Sequence, residues 1–304
     1  MRTTVSDGLP AVKRNRPPAR KTVAQVIYII FGIVFSAMFL FPIVYMIATS
    51  TKTEPSYVSS AGTIKMFIPD FDNPSEFFKN YGSIFTQYDI WRYALNSFLY
   101  AAIVIVINVV VNGLAGYVMA KLRFPGKKFL SFMIIFLIVV PVETSIIPLY
   151  AIVKIMLGFK NTASIFGVIL PASISIFNVF LFTQFFSGIP KEYEEAARID
   201  GASTVGVFFK IILPLSKPIV ATVAVFCFIG VWNDYLWPSM ILPKSLYPIQ
   251  SALMTIQSLG DGVDSITTGE IMAALVVTSI PIFIIYIIAQ KYIVQGFGSA
   301  GLKM

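Results

Sequence analysis

Six long apolar stretches constrain the fold of this sequence more than any other feature. A helix needs about 20 mainly apolar residues to cross the hydrocarbon core of a bilayer. The stretches that reach this length cover residues 23–48, 93–119, 129–150, 161–186, 219–240 and 270–292. Because 57% of the 304 residues are hydrophobic and only 12% are charged, we predict an all-α membrane protein with six transmembrane helices.

The first apolar stretch follows basic residues, so it could be a cleaved signal peptide. It is longer than the apolar region of such a peptide, and no small-x-small cleavage pattern stands before Pro42. We therefore interpret it as a retained span. The polar, basic residues 1–20 are predicted to form a disordered cytoplasmic tail.

The net charge of +8 does not indicate nucleic acid, because the basic residues alternate with the spans in a regular way. If both termini are cytoplasmic, more than twice as many Lys and Arg residues lie on the cytoplasmic side as on the outer side. This asymmetry follows the positive-inside rule. It predicts that the long segment between the fourth and fifth spans is also cytoplasmic.

Several chemistries are excluded by the residues that the sequence lacks. It has no His, and its single cysteine, Cys227, lies within the fifth span and has no partner for an intrachain disulfide. No G-x-x-x-x-G-K-[ST] phosphate-binding loop is present. We therefore predict that the chain is not an enzyme and has no catalytic residues, no metal ligands and no cofactor of its own.

The segment between the fourth and fifth spans is longer and more charged than most loops between spans, and we call residues 188–218 the elbow. Pro190 suits the first position of a helix, where no backbone N–H is needed. Glu192, Glu194 and Glu195 then favour the positive end of the helix dipole. Gly201 follows where a left-handed residue usually ends a helix.

A second short helix is predicted after Gly201. Ser203 can cap its start, and Pro214 is expected to stop it. A helix–glycine–helix segment of this kind can dock in a groove of a partner protein. The alternative is an amphipathic helix resting on lipid, but an anionic leaflet would repel the acidic face.

The elbow also carries a specific spacing of residues. Glu195-Ala196-Ala197 is followed by Gly201, Ile211 and Leu213-Pro214. This pattern resembles the EAA loop of permease subunits of ABC importers, and the resemblance extends along the chain from Lys21. It is closest to the carbohydrate branch, and within it to the smaller maltose-type permease. The stretches 232–238 and 290–297 are similar to that branch as well.

The resemblance implies the type I ABC importer fold, with a six-helix permease domain over residues 21–304 and a cytoplasmic coupling helix in the elbow. It implies a second homologous permease, a dimer of ATPase subunits that hold ATP and Mg, an extracytoplasmic solute-binding protein and a carbohydrate substrate. The location would be a prokaryotic cytoplasmic membrane. The residues expected to couple the chain to the ATPase are Glu195, Ala196, Ala197, Asp200, Gly201, Ile211, Leu213 and Pro214.

Candidate residues for the substrate path are Glu143, Asn178, Trp232, Asn233 and Asp234. An acid within a span is costly and is often functional, although Glu143 could equally be a structural hydrogen-bonding group. The tryptophans at 232 and 237 suit an interfacial aromatic belt, and aromatic faces beside amides and carboxylates also suit sugars. Pro171 should kink the fourth span and free a carbonyl for a neighbouring group.

Other interpretations remain open at this point. The external segments 49–92 and 241–269 could cap the bundle or meet the binding protein, and the glycine-rich end of the chain could fray or lie near the ATPase. An ion-coupled secondary transporter of a small polar solute is the main alternative function. Only Glu143 and Asp234 are candidates for its ionisable midplane groups. A scaffolding membrane subunit is a third possibility.

Overall fold

The computed structural model describes residues 19–71, 77–257 and 266–301, and every element of secondary structure in these ranges is helical. Apart from Ala19 and Arg20, the predicted tail therefore lies outside the described residues. The α-helices of these ranges are α1 (Ala19–Ser50), α2 (Glu54–Ser60), α3 (Lys79–Thr86), α4 (Ile90–Lys121), α5 (Lys127–Ile138), α6 (Ile146–Tyr150), α7 (Ser164–Ser173), α8 (Ile176–Ser187), α9 (Glu192–Ile199), α10 (Thr204–Val207), α11 (Leu213–Leu215), α12 (Lys217–Asn233), α13 (Leu236–Ile241), α14 (Ile249–Gln257) and α15 (Thr268–Gly301). Short 3₁₀ turns lie at Ile64–Phe67, Val142–Ser145, Asn161–Ala163 and Lys244–Leu246, and π-helical turns at Ala151–Met156 and Phe208–Ile212.

Three helices of the described chain are long and apolar enough to cross a membrane without a break: Gln25–Ser50, Ile90–Lys121 and Thr268–Gln290. Three further pairs of helices meet the same test if each bent pair is one span, which gives up to six crossings. They are Lys127–Ile138 with Val142–Met156, Asn161–Ser173 with Ile176–Ser187, and Thr204–Leu215 with Lys217–Asn233. The protein is a helical, multi-pass membrane protein.

The third predicted span, 129–150, is not straight. The chain turns by 99° between Lys127–Ile138 and Val142–Met156. Pro141 lies in this turn with an extended backbone, because proline cannot donate the hydrogen bond that would continue the helix. Pro148 causes no break, since it lies in α6 near the start of the helix, where its missing N–H is not needed.

The fourth predicted span bends by 42° between α7 and α8. Pro171 leaves the carbonyl of Gly167 without its helical donor, and the indole Nε1 of Trp237 donates to that oxygen at 3.0 Å. The break itself lies at residues 174–175. There the side-chain amide of Asn112 donates to the carbonyl of Ser173 and accepts from the N–H of Ser175. A neighbouring helix therefore satisfies the backbone groups that the kink exposes, as the sequence predicts.

The fifth predicted span, 219–240, is not one continuous helix, because its last residues belong to a separate short helix. α12 ends at Asn233, and α13 begins at Leu236. The carboxylate of Asp234 accepts the backbone N–H of Trp237 at 3.3 Å, which is the bond that an N-cap residue makes to start a new helix. This capping competes with continuation of α12 and explains the earlier end.

α4 forms the centre of the bundle, and it packs most extensively against α8 and α12. A Cβ atom at Gly116 would lie 2.5 Å from the Cβ of Phe182, so this glycine allows α4 and α8 to approach closely. The outward side chains of α1 and α5 are apolar and exposed, as expected for surfaces that face lipid or another membrane chain.

The end of the bundle away from the elbow is covered by the segment that follows α1. Lys52 is buried there, and its Nζ donates to the Oγ of Ser60 and the carbonyl of Lys65. The amide of Asn80 donates to the carbonyls of Ser50 and Lys52. The described part of residues 49–92 is therefore a local cap, and a contact with a binding protein stays a prediction.

Candidate coupling elbow and membrane cavity

The elbow is a helix–glycine–helix unit. α9 ends at Ile199, and Gly201 has a φ of +82°, the left-handed conformation that glycine adopts without strain. The Oγ of Ser203 accepts the N–H of Gly206 at 3.1 Å and caps the second helix. Both features were predicted. Pro190, however, lies two residues before α9 begins.

Pro214 does not stop the second helix. The helical path of the elbow runs from Thr204 to Leu215 and then turns by 85° into α12. Because Pro214 cannot donate to the carbonyl four residues earlier, the chain widens to a π-helical turn at Phe208–Ile212 and continues. The corner lies at Ser216, whose Oγ donates to the carbonyl of Ile212 at 2.6 Å.

A buried ion pair fastens α9 to the end of α4. The Nζ of Lys121 lies 3.2 Å from the Oε1 of Glu194, and the two side chains are only 4% and 9% exposed. The hydroxyl of Tyr117 donates to the Oε2 of Glu194 at 3.2 Å, and Lys121 also donates to the carbonyl of Ile189. Sequence reasoning missed this triad. The spacing of Tyr117 and Lys121, one helical turn apart at the end of a span, is the signal that could have indicated it.

A second, apolar anchor joins the other half of the elbow to the bundle. Phe208 is fully buried, and its ring lies 5.7 Å from that of Tyr117 and 6.3 Å from that of Phe186. Gly113 makes room for it, since a Cβ there would lie 3.2 Å from the Phe208 ring. The second half of the elbow is thus packed directly against α4 and α8.

The open side of the elbow is a concave surface of about 990 Å³. Six of the eight residues predicted for coupling line it: Ala196, Ala197, Asp200, Gly201, Ile211 and Pro214. The other two lie apart from it, since Glu195 is exposed and Leu213 packs against the core. Beside this surface the side chain of Ile199 is 87% exposed.

A second concavity, of about 400 Å³, lies inside the bundle, and we call it the membrane cavity. α4, the α7–α8 break and α12 line it, and of the predicted path residues Asn178 and Asp234 belong to its wall. The Nδ2 of Asn178 donates to the Oδ1 of Asn108 at 3.1 Å and lies 3.5 Å from the Sγ of Cys227. The cavity therefore joins amide, thiol and carboxylate groups within apolar walls.

One polar atom in the wall of the membrane cavity is unsatisfied. Asn108 is completely buried, and its Nδ2 has no hydrogen-bond partner among the described residues. Leaving a buried donor without a partner costs about 1–3 kcal/mol. Such a cost is usually retained where a ligand or water takes the bond.

The remaining predicted path residues lie elsewhere. Glu143 and Asn233 are exposed and do not line the membrane cavity. Trp232 is fully buried, stacks on Phe228 and donates to the carbonyl of Thr278 at 3.1 Å. Since Trp237 is buried as well, the prediction of an interfacial belt is wrong for both tryptophans. Both indoles instead donate to backbone carbonyls near a proline of a neighbouring helix.

Metal chemistry has no evident site in the part of the chain that the structure describes. No group of three or more Cys, Asp or Glu side chains there could hold a metal ion.

The fold and the elbow are typical of the membrane component of a transport system. The family described as "binding-protein-dependent transport system inner membrane component" matches residues 112–299, more than half of the chain. The chain belongs to this family. Its relatives are transporter permease subunits, so the resemblance found in the elbow motif is confirmed.

Individual relatives cover most of the chain. The arabinooligosaccharides transport system permease protein of Halalkalibacterium halodurans is 30% identical over 87% of this chain and 91% of its own length. The diacetylchitobiose uptake system permease protein of Streptomyces coelicolor is 30% identical over 86% of this chain and 83% of its own. The sn-glycerol-3-phosphate transport system permease protein of Pectobacterium atrosepticum is 36% identical over 66% of this chain and 70% of its own.

The fold also matches a solved structure. A chain of a bacterial ABC transporter involved in the import of the acidic polysaccharide alginate superposes with a TM-score of 0.75 and 24% identity. The match covers 93% of this chain and 99% of that chain. The predicted fold of an ABC importer permease is therefore confirmed.

Proposed function

We propose that this chain is a permease subunit of an ATP-driven importer of sugars or oligosaccharides and forms half of its translocation path. Its relatives include permeases for arabinooligosaccharides and diacetylchitobiose. The partners of this chain would be a second homologous permease, a dimer of ATPase subunits and an extracytoplasmic solute-binding protein. ATP and Mg would be bound by the ATPase subunits, since this sequence has no phosphate-binding loop.

The observation that carries the proposal is the construction of the elbow. It presents a concave surface to the outside of the bundle, while the Lys121–Glu194 pair and Phe208 fix its other side to α4 and α8. An ATPase bound to the concave surface would move α4 and α8 together with the elbow as one rigid body. The elbow end and both termini would then be cytoplasmic, in agreement with the distribution of basic residues.

The energetic requirement is modest for such an assembly. Moving a two-state population from 1:99 to 99:1 needs about 5.5 kcal/mol of differential binding. Nucleotide binding to two ATPase subunits can supply this free energy, which would act on the two permeases through their elbows. An elbow that merely rested on lipid could not, because lipid has no nucleotide-dependent affinity for it.

Site-directed cross-linking tests the docking of the elbow. The natural cysteine is first replaced (Cys227→Ser), and Ala196→Cys is then introduced on the concave surface. We expect a thiol cross-linker to join Ala196→Cys to the ATPase subunit in the purified complex, with a yield that changes when nucleotide is added. The matched control is Ser59→Cys, an exposed residue at the other end of the bundle, which should never reach the ATPase. Cross-linking from Ser59→Cys alone would overturn the proposal.

Reconstitution separates this function from an ion-coupled secondary transporter. We expect sugar uptake into proteoliposomes to require ATP on the elbow side and to persist when ionophores remove every ion gradient. Uptake that follows an ion gradient without ATP would establish the alternative. A chain that supports no uptake with any sugar, yet assembles with an ATPase, would be a scaffold.

A further inference from the structure

The membrane cavity extends from mid-depth of the bundle towards the end away from the elbow, where Asp234 follows the last residue of α12. Asn108, in its wall, is two to three residues past the midpoint of α4, which corresponds to about 4 Å along the helix axis. The opposite wall contains the break between α7 and α8, whose backbone Asn112 holds open. A solute that crosses the bundle through this cavity therefore meets polar side chains between that end and about halfway.

The wall offers an unused donor at this depth. Asn108 and Asn178 orient each other through one hydrogen bond, which uses the Oδ1 of Asn108. The Nδ2 of Asn108 is buried and has no partner in the described chain. A hydroxyl oxygen in the cavity would satisfy it, and an apolar solute would not.

The charge of the wall selects among polar solutes. Among the described residues that line the cavity, Asp234 is the only carboxylate and none is Lys or Arg. One of its oxygens already accepts the N–H of Trp237, and the remaining lone pairs can accept hydroxyl protons. In a poorly solvated site this carboxylate repels anions.

The volume and the apolar walls of the membrane cavity suit a single sugar ring. The volume of about 400 Å³ is within the range of small-molecule sites, which is about 300–1,000 Å³. Phe177 and Phe226 belong to the wall, with ring centroids 6.1 Å apart. Aromatic faces pack on the C–H faces of a sugar, and the polar groups reach its hydroxyls.

We infer that the membrane cavity is a transit subsite for one neutral sugar unit, in which Asn108 donates to a hydroxyl, Asp234 accepts from another, and anionic solutes are rejected. This inference rests on the proposed function and specifies its substrate class.

A natural cysteine allows occupancy of the membrane cavity to be measured by chemical labelling. Cys227 is the only cysteine of the sequence, and it lines the cavity beside Asn178. The whole importer is reconstituted, and uptake of arabinobiose and maltose first establishes which of them is carried. The rate at which N-ethylmaleimide labels Cys227 is then measured by mass spectrometry of its peptide, with the carried sugar or with sn-glycerol-3-phosphate.

We expect the carried sugar to slow labelling in a saturable way and sn-glycerol-3-phosphate to have no effect at equal concentration. Asn108→Ala should raise the sugar concentration that gives half-protection about tenfold, as loss of one hydrogen bond predicts. The matched control is Asn96→Ala on the same helix. The amide of Asn96 donates to the carbonyl of Tyr247 outside the cavity, so protection should be unchanged.

The charge of the cavity is tested without any sugar. Wild-type Cys227 should react faster with a cationic than with an anionic methanethiosulfonate, and Asp234→Asn should remove this preference. A carried sugar that leaves labelling unchanged would overturn the subsite while the proposed function stands. Equal protection by sn-glycerol-3-phosphate, or an unchanged reagent preference in Asp234→Asn, would overturn the selection by charge. Absence of uptake for every sugar would instead count against the proposed function.

Discussion

The ion pair between Lys121 and Glu194 is the most decisive point at which to perturb the elbow. Its charges lie 3.2 Å apart, which corresponds to an attraction of about 5 kcal/mol at an effective dielectric constant of about 20. Desolvation offsets much of this attraction, so the pair adds little net stability. Breaking it is different, because Glu194→Gln leaves the ammonium of Lys121 buried without a counter-charge. We expect a loss of about 3–5 kcal/mol.

The assay is a double-mutant cycle on the purified importer. Glu194→Gln and Lys121→Met are made singly and together, and the fraction that stays folded is followed by size exclusion after heating. A loss of about 3–5 kcal/mol should lower the apparent melting temperature by several degrees relative to the wild-type complex. The double variant should recover much of the loss, because no buried charge is left unpaired.

Coupling is measured on the same variants. With α9 loosened from α4, we expect Glu194→Gln to continue ATP hydrolysis and to move less sugar for each ATP. Glu195→Gln is the matched control for stability, since it removes the same charge from an exposed neighbour in the same helix. It should change stability by less than about 0.5 kcal/mol. If Glu194→Gln matched this control in melting temperature and coupled ATP hydrolysis to sugar movement as wild type does, the anchoring role of the pair would be refuted.

Three further perturbations test other parts of the structure. Gly201→Asp should insert normally, because its backbone strain is only about 1–2 kcal/mol and, its chain neighbours aside, no described residue lies within 4 Å of the new Cβ. It should abolish coupled transport, because the new carboxylate would obstruct the partner that docks there. Gly62→Asp, also left-handed with open space around it, should keep uptake, and equal loss in both would point to strain alone. Gly116→Ala should destabilise the bundle by about 1–3 kcal/mol, because its Cβ would lie 2.5 Å from that of Phe182. The melting temperature should therefore fall, whereas Gly32→Ala, which has open space around its Cβ, should not lower it. Trp237→Phe should cost about 1–3 kcal/mol in heating assays by leaving the Gly167 carbonyl unpaired, and a variant as stable as wild type would contradict this assignment.

The positions where sequence reasoning failed share a cause. The stop expected at Pro214 ignored the option of a wider helical turn, and the straight fifth span ignored the capping of α13 by Asp234. From the sequence alone, the tryptophans at 232 and 237 resemble interfacial residues, because they lie near the end of a predicted span. Only the packing of other helices reveals that both indole groups donate to backbone carbonyls, and that the Gly167 carbonyl bound by Trp237 is the one that Pro171 leaves without a helical donor.

The sequence by itself determined the helical class, the approximate positions of the spans, and the helix–glycine–helix form of the elbow. These features depend on local composition: apolar length, the left-handed glycine at 201 and the cap at Ser203. The tertiary structure alone decided which polar groups meet. Lys121 pairs with Glu194, which is 73 residues later in the sequence, and Asn108 bonds to Asn178, which is 70 residues later. Such pairs arise because close packing brings distant helices to one place, and no local pattern specifies which faces will touch.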